Sequence, residues 1–249
     1  MTNTIVKDGY VSVNGLEMYY EIHGSGQPLV LVHGAFSGIG TSFGALIPEL
    51  AKARKVIGFE LQAHGRTADI DRPLSLTTMA DDVAGAIQEL GFESADLFGY
   101  SMGAGVALRV AIHHPEVIRK LILASVTYTF SGIQPGLMEG LGNMKPEMMY
   151  GSPWHDEYMR IAPHPENFSK LFAKKTEMDR QTQDLVRPEH AVEMFRLLGG
   201  GVFGDTPAGL PDSQLAVLPG TSHVSLASRT ELLIPMINSF LDKPMPAVS

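Results

Sequence analysis

The chain has 249 residues, 44% hydrophobic and 18% charged, which suits one large compact domain or a domain carrying an insertion. A formal net charge of -8 repels phosphate backbones and anionic lipid surfaces, so neither a nucleic acid nor a membrane is an expected partner. The absence of cysteine excludes disulfides, thiolate metal sites and a cysteine nucleophile.

The N-terminal stretch MTNTIVKDGYVSVNG lacks the basic segment and apolar run of a secretory signal, and no segment approaches about 18 uninterrupted apolar residues. A cytoplasmic protein is the expectation. Residues 10–13 and 16–22 flank Asn14-Gly15, a dipeptide that readily takes positive φ, and predict a β-hairpin. Residues 29–32, Leu-Val-Leu-Val, form an apolar run too short for a helix and predict a strand buried on both faces. A helix over 43–52, a strand over 56–60, a helix over 76–90, a strand over 95–99, a helix over 102–113 and a strand over 118–125 follow. Such alternation implies an α/β fold with a mainly parallel, doubly wound sheet.

From about residue 126 to 187 the alternation stops, and Pro, Gly and Met become frequent. This predicts a helical cap over 127–187, inserted between core segments 1–126 and 188–249. Its methionines, with Trp154, Phe168 and Phe172, could line an apolar pocket or simply pack helix on helix. A helix over 191–198, a strand over 214–218 and a helix over 231–241 close the chain.

Gly99-Tyr100-Ser101-Met102-Gly103 places a serine between a predicted strand and a predicted helix, flanked by glycines that leave room for a sharp, strained turn. A serine hydroxyl needs a base, and histidine is the usual one. Among nine histidines, His223 follows the predicted 214–218 strand directly, at the end of the sheet where loops converge. His113 and His114 end a helix; His33 precedes a tight loop. Structural or solvent-exposed roles suit His23, His155, His164 and His190. Backbone N–H groups of Met102 and Ala35 are candidate donors to an oxyanion.

Leu31-Val32-His33-Gly34, Gln62-Ala63-His64-Gly65-Arg66, the Ser101 motif and Pro219-Gly220-Thr221-Ser222-His223 together resemble the α/β-hydrolase superfamily, particularly its capped bacterial esterases. The resemblance covers nearly all of the chain outside the cap. It implies Ser101 as nucleophile, His223 as base and Ala35 and Met102 as oxyanion donors, with no metal or organic cofactor. The stretch around Glu60, Gln62, His64 and Arg66 is then a structural loop bordering the site. Serine at this position, where dehalogenases and epoxide hydrolases of the superfamily carry aspartate, argues against those chemistries.

The resemblance also places the catalytic acid at Asp184, ahead of Leu185-Val186-Arg187-Pro188-Glu189-His190-Ala191. The alternative for Asp184 is a helix N-terminal residue ahead of Pro188. Asp205, Asp212 and, more weakly, Asp179 are fallback acids. The polar run 174–183 cannot be a buried strand, so one core strand, roughly 20 residues with its connections, is missing before Asp184. The 214–218 strand then moves inward, another segment fills the gap, or a second chain supplies pairing in a homodimer.

The expected activity is hydrolysis of small apolar carboxylic esters through an acyl-enzyme on Ser101. Lactone or carbon-carbon bond hydrolysis and perhydrolysis share the fold. The rival of another class is a hydrolase-like scaffold that binds an apolar ligand without turnover, or an enzyme whose triad no longer assembles.

Overall fold

The computed structural model describes residues 5–126, 144–181, 188–201 and 212–245. The chain opens with the hairpin β1 (Ile5–Val13) and β2 (Leu16–Gly24). Asn14 and Gly15 both take positive φ, 49° and 78°, the backbone of a two-residue turn whose twist matches its strands. The strands β3 (Gln27–Val32), β4 (Arg54–Phe59), β5 (Ala95–Tyr100) and β6 (Ile118–Ala124) complete a sheet in the order β1-β2-β4-β3-β5-β6. The hairpin and the β2/β4 pair are antiparallel, and β4, β3, β5 and β6 run parallel.

Strand β3 shows why the sheet needs helices on both faces. Leu29 and Leu31 point to one side, against the short helices α1 (Ile39–Phe43) and α2 (Ile47–Leu50) and the final helix. Val30 and Val32 point to the other, against α3 (Leu76–Glu89) and α4 (Met102–His113). All four side chains are fully buried. Each contributes roughly 1.5–3 kcal/mol of hydrophobic stabilisation.

Within the stretch expected to form a cap lie α5 (Pro153–Ile161) and α6 (Phe168–Gln181). Phe168, Leu171, Phe172 and Met178 of α6 join the core cluster that holds Val30 and Val32. Lys174 of α6 donates to Asp69 Oδ1 at 2.8 Å and to the carbonyls of Ile70 and Arg72 at 3.0 and 2.9 Å. The polar run that cannot be a buried strand is thus largely helix, with Lys174 turned to the core's acceptors and Lys175 paired with Asp179 on the helix itself. Helices α7 (Pro188–Leu197) and α8 (Thr230–Leu241) follow.

Two expectations are corrected. The helix over 43–52 is two short helices, because Gly40 and Gly44 weaken helix propagation and Pro48 suits only the first turn of a new one. Residues 214–218 form no strand: they are irregular and mostly exposed, with Leu215 and Val217 at the surface. An apolar run becomes a strand only where the chain lays it alongside a ladder edge. Here the following loop is held over β5 and α8 is pinned to the sheet. Among the described residues β6 pairs with β5 alone. No helix among the described residues is long and apolar enough to cross a membrane.

Candidate active site

Strand β5 ends at Tyr100 and α4 begins at Met102, which leaves Ser101 to make the whole turn at φ 56° and ψ -123°. Such a backbone costs about 1–3 kcal/mol and persists only where its surroundings enforce it. The Ser101 N–H donates to the Ala124 carbonyl of β6 at 2.9 Å, and its carbonyl accepts from Ala104 N–H at 2.9 Å and Gly105 N–H at 3.2 Å. A Cβ at Gly99 would stand 2.3 Å from the Gly103 carbonyl oxygen, and one at Gly103 would stand 2.1 Å from that of Val32. The glycines are therefore required by the close crossing of β3, the turn and α4.

His223 arrives from the other end of the chain. Its Nε2 lies 2.8 Å from Ser101 Oγ, a hydrogen-bonded contact. The Tyr100 hydroxyl donates to the His223 carbonyl at 2.5 Å, so the residue before the serine also holds the histidine's backbone. Below the loop, Lys120 of β6 grips the C-terminal end of α8, donating to the carbonyls of Phe240 at 2.8 Å, Leu241 at 3.1 Å and Lys243. Arg54 pairs with Asp242 at 2.6 Å beside it. Cations at the negative end of a helix are favourable, and these fix the helix that follows His223. Burial holds the imidazole below its ordinary pKa, leaving Nε2 free to accept a proton at neutral pH.

The loop after β3 passes beside the serine: a Cβ on Gly34 would stand 3.3 Å from Ser101 Cβ. His33 Nδ1–H donates to the Gly34 carbonyl at 2.7 Å, while its Nε2 accepts from Leu61 N–H at 3.0 Å. Burial lowers its pKa to about 4, so it is a neutral strut and no base. His64 is also fully buried, donates from Nδ1 to the Gln62 carbonyl at 2.8 Å and is lowered to about 3. The loop from Glu60 to Arg66 borders the site as structure. Met102 N–H opens α4, where the first turn has no acceptor within the helix, and Ala35 N–H follows Gly34. Neither N–H has a protein acceptor among the described residues.

Ser101 and His223 thus meet at the C-terminal ends of β3 and β5, with Met102 next to the serine and Ala35 next to Gly34, which packs on Ser101. Asp184 and Asp205 lie outside the described residues. Asp212 is exposed, and Asp179 is ion-paired with Lys175 one turn away on α6. Among the described residues no carboxylate lies within ion-pair distance of His223, and no cluster of three or more metal-ligating side chains occurs. Sequence reasoning missed Tyr100 as an anchor of His223 and missed Glu157, a buried carboxylate of α5 that accepts from Gly38 and Thr41 N–H groups. Its only local signal was a glycine, Gly38, at a helix start where a capping side chain is usual.

Over residues 27–217 the chain matches the family model described as alpha/beta hydrolase fold. The chain belongs to the α/β-hydrolase family. It is 35% identical over 121 residues to 2-hydroxymuconate semialdehyde hydrolase of Pseudomonas sp. strain CF600, covering 47% of this chain and 41% of that protein. It is 30% identical over 148 residues to 2-hydroxy-6-oxo-2,4-heptadienoate hydrolase of Pseudomonas putida, covering 57% of this chain and 51% of that protein. The matched stretches thus span about half or less of these curated relatives. Among solved structures, a serine hydrolase involved in carbazole degradation superposes with a TM-score of 0.69 at 20% identity, covering 94% of this chain and 98% of that one. At that identity the likeness concerns the α/β-hydrolase fold.

Proposed function

We propose that this α/β-hydrolase cleaves small carboxylic esters through an acyl-enzyme on Ser101. The observation that carries the reading is the 2.8 Å contact between Ser101 Oγ and His223 Nε2, made on a turn that a chain tolerates only when it is enforced. Ser101 Oγ attacks the ester carbonyl as His223 Nε2 takes its proton, and the oxyanion forms toward Ala35 and Met102 N–H. The alkoxide leaves with the proton returned by His223. Water, deprotonated by the same nitrogen, then attacks the acyl carbonyl, releasing the acid and restoring the serine hydroxyl. Asp184 is the proposed acid that orients the imidazole.

Phe36, next to the donor Ala35, stacks on Phe172 of α6 at a centroid distance of 5.3 Å, and Phe168 lies 6.3 Å away. This aromatic wall favours an apolar acyl or alcohol group. A second reading draws on the relatives' names: hydrolysis of an oxo-dienoate such as 2-hydroxy-6-oxo-2,4-heptadienoate, in which the same serine attacks a ketone and the leaving group is carbon.

Incubation with p-nitrophenyl acetate, with that oxo-dienoate and with a fluorophosphonate probe separates the readings, Ser101→Ala serving as control. A burst of nitrophenol and covalent labelling at Ser101 are expected. Turnover of the oxo-dienoate at a far higher kcat/KM transfers the assignment to the second reading. An unlabelled serine and intact substrates sink both and leave a binding scaffold.

A further inference from the structure

Helix α1 begins at Gly38, which has no side chain to satisfy the N–H groups of its first turn. Gly38 N–H donates to the local Thr41 Oγ1 at 3.1 Å, and a second acceptor comes from the cap, 119 residues further along the chain. Glu157 of α5 accepts from Gly38 N–H at 3.1 Å and, through its two oxygens, from Thr41 N–H at 3.1 and 3.2 Å. It also accepts from the Thr41 hydroxyl. Only 9% of Glu157 is exposed. A Cβ on Gly40 would stand 2.3 Å from one Glu157 oxygen, and one on Gly38 would stand 3.1 Å from the other, so two glycines make room for this carboxylate. The seat is shaped for a group that belongs to another part of the molecule.

The same few residues support the loop beside Ser101. Ser42 Oγ of α1 accepts from Gly34 N–H at 3.2 Å, Ser37 Oγ donates to the Gly34 carbonyl at 2.8 Å, and the two hydroxyls lie 2.7 Å apart. Gly34 precedes Ala35. Ser42 N–H donates to the Gly38 carbonyl at 3.2 Å, so hydrogen bonds link the cap carboxylate, through the start of α1 and its serines, to the residue before the proposed oxyanion donor. On the core side Glu60 approaches the same point, its Oε1 2.9 Å from where a Gly38 Cβ would stand, with Arg66 Nη1 2.9 Å from that oxygen.

We propose that Glu157 is a positioning residue for the reaction: its carboxylate, seated on α1, holds the Gly34-Ala35 loop in donor geometry, so that turnover requires the docked cap. This rests on the serine-hydrolase reading. Glu157 touches no reacting atom. Its effect is on the placement of the Ala35 N–H, and removing an oxyanion donor altogether lowers kcat about 10²–10³-fold. A displaced donor is expected to cost less, about 10–10²-fold.

Two variants test it, Glu157→Ala and Glu157→Gln, with fluorophosphonate titration of Ser101 counting the competent molecules. The expected result is a kcat per titrated serine lowered at least about tenfold in Glu157→Ala and less in Glu157→Gln, which keeps one acceptor oxygen, while KM moves less than about twofold. If the variants merely lose folded protein, with wild-type kcat per titrated serine, the proposal is overturned. Hydrogen exchange at the Gly34 and Ala35 amides supplies a readout without turnover, and faster exchange is expected in Glu157→Ala. Should the wild type hydrolyse nothing, the serine-hydrolase reading fails on its own, and unchanged exchange at these amides then rejects the positional link as well.

Discussion

At the scale of single residues, the site depends on groups whose protonation is set by burial. In the proposed reaction His223 accepts the serine proton only when neutral, so kcat/KM is expected to fall as pH drops through its pKa. Because burial depresses that pKa, the midpoint of the acid limb is expected below about 6.5. A carboxylate at Nδ1 opposes the depression. Asp184→Asn is therefore expected to lower kcat by about 10²–10⁴-fold and to move the midpoint further down, measured as a pH-rate profile. An unaltered profile would shift the acid's role to Asp205 or Asp212. Tyr100→Phe removes the hydroxyl that holds the His223 carbonyl. With that backbone less constrained, we expect kcat to fall about tenfold while Ser101 remains open to labelling. The serine was legible from its motif between a strand and a helix, whereas the signal for the histidine, a place directly after a strand, rests on a strand that does not form, and only the fold brings it to Ser101. The tyrosine was not legible, because its bond runs to a backbone atom 123 residues away.

At the scale of elements, the turn at Ser101 was readable because it writes itself into sequence as glycine. Gly103→Ala would drive a Cβ to within 2.1 Å of the Val32 carbonyl, and backbone cannot yield there. Loss of folded protein, seen by circular dichroism, is the expected outcome. Helix α8 gives a milder case. Lys120→Met leaves three carbonyls at its C-terminal end without their ammonium donor. A loss of about 2–3 kcal/mol is expected, or about 5–10 °C in Tm by calorimetry, with kcat reduced because His223 lies just ahead of this helix. The 214–218 segment shows the limit of reading elements from patterns. Its short apolar run, Leu-Ala-Val-Leu, suits a strand, yet a strand also needs a partner edge, and no local pattern reports whether one is in reach.

At the scale of the whole molecule, α5 and α6 meet the sheet-bearing part through polar contacts that include the Lys174 grip on the loop around Asp69 and the seat of Glu157 on α1. Glu60 lies beneath the second. Burial, opposed by Arg66 and reinforced by the Glu157 charge, raises its pKa to about 7. A carboxyl group raised in the folded state binds more protons there than in the unfolded chain between its ordinary value and about 7. Stability is thus lost as pH climbs through that window, the loss being complete above it. Calorimetry from pH 5 to 8 is expected to show Tm falling across the window, with a flatter profile in Glu60→Gln. A profile of equal slope in that variant would assign the trend to other groups.

The linear order of residues was enough to establish the alternating α/β architecture, the two-faced burial of β3, the hairpin and the strained serine, because each is written in short-range periodicity or in glycine at a crowded turn. Tertiary structure alone decided that His223 meets Ser101 with Tyr100 holding it, and that the Glu157 carboxylate of α5 completes the start of α1. Those outcomes depend on groups more than a hundred residues apart reaching hydrogen-bond distance. Local sequence shows which groups need partners, whereas packing determines which ones they find.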